Sequence, residues 1–105
     1  MEEQLNRTDE LMGMLISSLL KWRYQSERRT PAMKRLIRRY RDELALLAAE
    51  FPQIAELLDS EDYLNKIWEK AVFNVEYETQ FHGKFPPKPI WTNEEIVLKL
   101  HFLPA

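Results

Sequence analysis

An all-α fold is what the 105-residue sequence predicts, on three observations: apolar residues recur at helical spacing in several segments, capping residues separate those segments, and there are only two glycines. The length allows one small hydrophobic core, so a single helical domain over residues 1–105 is expected. Its predicted form is a small bundle of four to five helices, with a Pro-rich extended strap before a short C-terminal helix. A composition of 45% hydrophobic and 30% charged residues is that of a folded globule. The absence of cysteine excludes a disulfide scaffold and a thiolate metal site, and fits a reducing compartment. The opening MEEQLNRTDE is acidic where a secretory leader would be basic. The most apolar run, Leu11 to Leu20, is broken by Gly13, Ser17 and Ser18 and is far shorter than the roughly 20 residues that span a bilayer. The expectation is a soluble, cytoplasmic protein with no membrane segment.

The first helix is predicted from about Glu3 to Tyr24, because Leu5, Met12, Leu15, Ile16, Leu19 and Leu20 recur at helical spacing. With Leu11, Met14 and Trp22 added, the apolar side chains cover roughly two thirds of the helical wheel. A stripe that wide belongs to a central helix packed on two sides, or to one that lends a second face to another subunit. Leu11, Leu15, Leu19 and Trp22 are therefore candidate apolar-interface residues, and a homodimer through this helix is one expected outcome. Gly13 costs about 1 kcal/mol of helix propensity relative to Ala, which leaves a close backbone approach or a tolerated glycine as its readings.

SERRTPAM breaks the helix, since Thr30 suits an N-cap and Pro31 a first helical position. The second helix is predicted from Pro31 to about Glu50. Met33, Leu36, Ile37, Tyr40, Leu44, Leu47, Ala48 and Phe51 share an arc of about 120° on the wheel, while Lys34, Arg35, Arg38, Arg39 and Arg41 lie outside it. Pro52 ends this helix or restarts a short one. Ser60 or Asp59 then caps the next, which runs to about Glu78 with Leu64, Ile67, Trp68, Ala71, Val72 and Val75 as its buried stripe. Phe73 and Tyr77 fall on its charged side, so a cover is needed. The strap FHGKFPPKPIW, with Phe81, Phe85, Ile90 and Trp91, is expected to lie across them. TNEE at Thr92–Glu95 is a capping box that opens the last short helix, holding Ile96, Val97 and Leu100.

LLKWRYQSERR from Leu19 to Arg29, followed by RLIRRYRDELALLAAEFP, YLNKIWEKA and FPPKPIWTNEEIV, resembles the bacterial domain-of-unknown-function family numbered twenty-nine, common in cyanobacteria. The resemblance covers roughly Leu11 to Leu103. It implies an all-α fold and no assigned activity. In two respects the chain departs from that pattern. The family carries an additional acidic N-terminal helical segment that this chain lacks, and a His immediately before Leu-Leu-Lys-Trp, where Ser18 stands here. No role resting on that His transfers.

Catalytic chemistry is not indicated, and no cofactor or metal is expected. His82 and His101 are the only histidines and have no metal-ligand spacing; Gly13 and Gly83 form no phosphate-binding loop; Ser17 and Ser18 sit in no nucleophile elbow. The unusual feature is charge. From Lys21 to Arg41 there are nine basic residues and one acidic, and from Asp42 to Glu78 ten acidic and two basic, within a net charge of -2. In the second helix the cations occupy the N-terminal half, against the macrodipole. Either the two blocks neutralise each other inside the fold or a partner uses the basic one. The leading expectation is a small helical protein-interaction module, toxin-, antitoxin- or inhibitor-like in type, that docks an acidic or apolar partner surface. Its candidate residues for an acidic partner are Arg28, Arg29, Lys34, Arg35, Arg38 and Arg39, and its apolar candidates add Phe73 and Tyr77 to the four on the first helix. The alternative is a nucleic-acid-associated protein using the same basic face.

Overall fold

Two prolines and two hydroxyl caps divide the chain where the sequence places them. The computed structural model describes residues 1–99 and 102–104. Helix α1 (Glu2–Tyr24) is followed by a 3₁₀ turn at Ser26–Arg28, then α2 (Pro31–Glu50), α3 (Pro52–Leu58) and α4 (Glu61–Thr79), and finally one π-helical turn at Glu94–Leu98. Thr30 Oγ1 accepts the Met33 N–H at 3.1 Å with Pro31 in the first helical position, and Ser60 Oγ accepts the Tyr63 N–H at 3.2 Å. Pro52 restarts the chain as α3 rather than ending it in a loop. The capping box forms, with Glu95 N–H on Thr92 Oγ1 at 3.1 Å and Thr92 N–H on Glu95 Oε1 at 3.0 Å. What it opens is the π turn, closed by Lys99 N–H to the Glu94 carbonyl at 3.0 Å, and not an α-helix. Leu100, expected in that helix, lies outside the described residues.

The wide stripe of α1 is covered from within the chain. Leu11, Met12, Leu15, Ile16, Leu19 and Leu20 are fully buried, with α2 packed on one side and α4 on the other. Arg7 reaches Glu43 at 2.7 Å, so the start of α1 lies beside the end of α2 and the two run antiparallel. Tyr63 Oη donates to Asp9 at 2.7 Å and Lys21 pairs with Glu78, so α4 runs parallel to α1, the short α3 serving as the crossover. Burial, and then the hydrogen bond and charge of Asp9, push the Tyr63 phenol above its ordinary range. Leu11, Leu15 and Leu19 are thus core and present no surface to a partner, a correction to their candidacy as interface residues. Trp22 is half-buried, with the Arg29 guanidinium 5.8 Å from its ring centroid. Nor does the chain approach Gly13 closely: a Cβ built there meets nothing within 4 Å.

The strap takes a different path from the expected one. Phe73 and Tyr77 remain 70% and 72% exposed. Phe85 is buried edge-on against Tyr24 at the end of α1, the Trp68 indole N–H donates to the Pro86 carbonyl at 2.9 Å, and Trp91 stacks edge-on against both Trp68 and Phe102. The cause is the indole. A fully buried Trp needs an acceptor for its N–H, and proline residues leave carbonyls unbonded within an extended segment. The strap therefore completes the Trp68 side of α4, while Phe73 points directly away from the core.

Arg41 is the largest departure. Its position on the wheel puts it among the outer cations, yet it is 1% exposed. Its guanidinium donates to the carbonyls of Glu95 at 3.0 Å, Ile96 at 2.8 Å and Phe102 at 2.9 Å, fastening the last segment to α2. Burial lowers its pKa from the usual arginine range. Because the C-terminal segment packs on that flank, the buried line of α2 runs through Ile37, Arg41 and Leu44, and the other edge of the predicted arc is left shallow, with Leu36 at 39% exposure. Replacing Arg41 by Met strands three carbonyls and is expected to cost about 2–4 kcal/mol. Amide exchange should rise first from Thr92 to Lys99 while α1 keeps its protection; unchanged exchange there would show that the guanidinium does not hold the segment.

Candidate functional site

The fold does not bring the two charge blocks together. Among the described residues the ion pairs are Arg7–Glu10, Arg7–Glu43, Lys21–Glu78 and a 3.5 Å contact of Arg39 with Glu43. Only the last two join a cation of the basic block to an anion of the acidic one. α2 and α4 sit on separate flanks of α1, so most of the acids of α4 face away from the cations of α2.

The six candidate cations accordingly divide. Arg29 is spent on the fold: its Nε donates to the Trp22 carbonyl at 2.6 Å and a terminal nitrogen to the Arg23 carbonyl at 3.4 Å, satisfying the open end of α1. Arg39 leans on Glu43. Arg28, Lys34, Arg35 and Arg38 are exposed and have no ion-pair partner among the described residues. Lys34, Arg35 and Arg38 recur at helical spacing along one flank of α2, and with Pro31, Ile37, Arg41 and Leu103 they line a cleft of about 350 Å³. Among the described residues no carboxylate lines that cleft. Their positive charges crowd the N-terminal half of a helix whose dipole opposes them, which leaves the field uncompensated by the helix itself.

On the opposite flank of α2 the shallow packing leaves a groove of about 840 Å³, floored by α1 and walled by α2 and α4. Nothing in the apolar pattern pointed to it, because the wheel assigns Met14, Leu36 and Tyr40 to the core; Met14 and Leu36 are exposed in the groove, while Tyr40 packs half-buried against the core and lends an edge to the groove wall. Tyr77 stands on its α4 rim and Phe73 beyond it. No three of His, Asp and Glu converge as a metal-binding group among the described residues. His82 is exposed in the loop after α4, and His101 lies outside the described residues.

A family model with the description "Domain of unknown function DUF29" matches residues 1–103, nearly the whole chain. The chain belongs to that family. Neither a curated protein nor a solved structure matches it. In this DUF29 chain the residues that mark the family likeness serve the fold: Leu19 and Leu20 are core, Lys21 pairs with Glu78, and Trp22 carries Arg29 over its ring. The exposed charges of α2 and the groove lie outside the Leu-Leu-Lys-Trp element. No helix among the described residues of the DUF29 chain is long and apolar enough to cross a membrane.

The outward position of Phe73 and Tyr77 has a thermodynamic consequence. Phe73→Ser and Tyr77→Ser should each change unfolding free energy by no more than about 0.5 kcal/mol, as exposed substitutions do. Trp68→Ala, by contrast, should cost about 3–5 kcal/mol. Urea denaturation of the variants checks this: a loss above roughly 1.5 kcal/mol, the least that burial of an aromatic contributes, would show that something covers the pair.

Proposed function

We propose that this protein is a helical interaction module that docks an acidic segment of another protein on the basic flank of α2, with Arg28, Lys34, Arg35 and Arg38 as the contacting cations. The observation that carries the reading is the spatial separation of charge: Lys34, Arg35 and Arg38 line one cleft, Arg28 is exposed in the turn before α2, and among the described residues no carboxylate pairs them. Such a cluster repels itself and lies against the dipole of its own helix, so an external anion relieves both. The cleft beside it offers the half-buried Leu103 to an apolar residue of the same segment.

A second reading draws on the same cations. Lys34, Arg35 and Arg38 form a short positive ridge that fits phosphates of a nucleic acid. Against it stands the net charge of -2, since a phosphate-backbone binder carries a basic surplus. The aromatic residues do not favour it either, because Tyr40 is on the groove side of α2 and Trp22 is occupied by Arg29.

Fluorescence anisotropy with two labelled probes separates these readings: a Pro-interrupted, Glu-rich peptide of about ten residues, and a single-stranded oligonucleotide of equal charge, each titrated at low salt where the Debye length is about 30 Å. The acidic peptide is expected to bind, and the double reversal Arg35→Glu with Arg38→Glu to weaken it at least tenfold, roughly 1.4 kcal/mol, through the loss of charge-assisted contacts. Stronger binding of the oligonucleotide, lost in the same variant and falling steeply with salt, would replace this reading by the second. No binding of either probe would remove the basic flank as a docking surface.

A further inference from the structure

The groove on the other flank of α2 is independent of the basic cluster. Its floor is α1, presenting Gly13 and Ser17 one turn apart, and its walls are Leu36 and Tyr40 from α2 and Tyr77 from α4, with Met14 37% exposed at the bottom. α2 and α4 each pack on α1 and not as a pair on each other, so the gap between them stays open along the helix they share. From Glu10 to Lys21 it runs for about three turns, roughly 17 Å.

We infer that this groove is the docking site for an amphipathic helix of a partner protein, apolar along one side and acidic along the edge that meets Lys66 and Lys70. A helix suits the shape because helical walls have already bonded their own backbone groups, whereas an extended peptide needs an unpaired edge to pair with. Gly13 supplies the close approach: outside its own helix backbone no described residue lies within 4 Å of where its Cβ would be, so an incoming backbone can come nearer there than over any larger residue.

The charges fix the chemistry of the occupant. Around the groove Glu10 holds Arg7 and Lys21 holds Glu78, while Asp9, which accepts from the neutral Tyr63 phenol, keeps its charge at the end of the groove beside the start of α4. Lys70 on the α4 wall, and Lys66 one turn before it, are exposed and have no ion-pair partner among the described residues. An acidic edge on the bound helix pairs them. A second copy of this chain does not fit as well. A two-fold interface needs a self-complementary surface, and two concave grooves placed face to face enclose a void. A helix of one copy entering the groove of the next is a head-to-tail contact, which builds a ring or a filament and not a simple pair.

The test uses the full chain and two labelled peptides of about fifteen residues, long enough for three turns plus ends. Both carry Leu at helical spacing; one has Glu along a flank and the other Lys at the same places. The Glu-flanked peptide is expected to bind and to shift the amide resonances of Gly13, Ser17 and Asn74, with the Lys-flanked peptide at least about tenfold weaker. Gly13→Leu fills the floor, and its Cβ meets nothing within 4 Å outside its own helix backbone, so it should keep the circular dichroism of the parent and not lower its urea midpoint, yet weaken the peptide at least about tenfold. Lys70→Glu, at an exposed position, should reverse the order of the two peptides. The charge reversals at Arg35 and Arg38 lie on the other flank and should leave the Glu-flanked peptide unaffected at physiological salt, which separates this site from the basic one. The inference is overturned if Gly13→Leu binds as the parent does, if both peptides bind equally or not at all, or if sedimentation shows a dimer that Gly13→Leu dissociates, in which case a second copy is the occupant.

Discussion

The apolar arc of α1 is the constraint on which the rest depends. Side chains that cover roughly two thirds of a helix cannot be buried by one neighbour, because a single packed helix covers a narrower stripe. α1 therefore takes α2 on one side and α4 on the other, and the strap closes over the far side of α4 through Trp68. Once two helices are committed to opposite flanks of a third, their outer faces cannot neutralise each other. The separation of positive α2 from negative α4 follows from the packing, and so does the gap between them over Gly13.

Helix positions were legible in the sequence because they rest on local chemistry. Thr30 with Pro31, Pro52, Ser60 and the Thr92–Glu95 box each satisfy backbone groups within a few residues of themselves, and no distant contact is needed to read them. The stripe of α4 was equally plain. Features set by long-range partners were not. Arg41 reads as a surface cation until the C-terminal carbonyls arrive beside it, and Leu36 reads as core until α2 rotates toward that segment. The strap carries apolar residues without periodicity, so only the buried N–H of Trp68 decides which side of α4 it covers.

The candidate surfaces were legible in half. Composition located the basic block, and the structure sorts it by geometry: Arg29 serves the end of α1, Arg39 leans on Glu43, and Arg28, Lys34, Arg35 and Arg38 are exposed with no ion-pair partner among the described residues. The groove was not legible, since a wheel shows which residues are apolar but not whether neighbouring helices meet above them. Arg29 and Arg41 share a role that charge counting hides. Each spends its guanidinium on backbone carbonyls at the end of an element, one for α1 and one for the π turn, so a cation there is a fastening of the fold.

Both long flanking helices, α2 and α4, depend on α1 for their packing, and hydrogen exchange measures that directly. Native-state exchange with increasing urea should find the amides of Leu11 to Leu20 among the slowest in the chain, opening only with global unfolding, while those of α2 and α4 join them or open earlier. If the α1 amides exchange through a local opening that leaves α2 and α4 protected, then α2 and α4 hold each other without it, and the arrangement of two flanks around a shared helix is wrong.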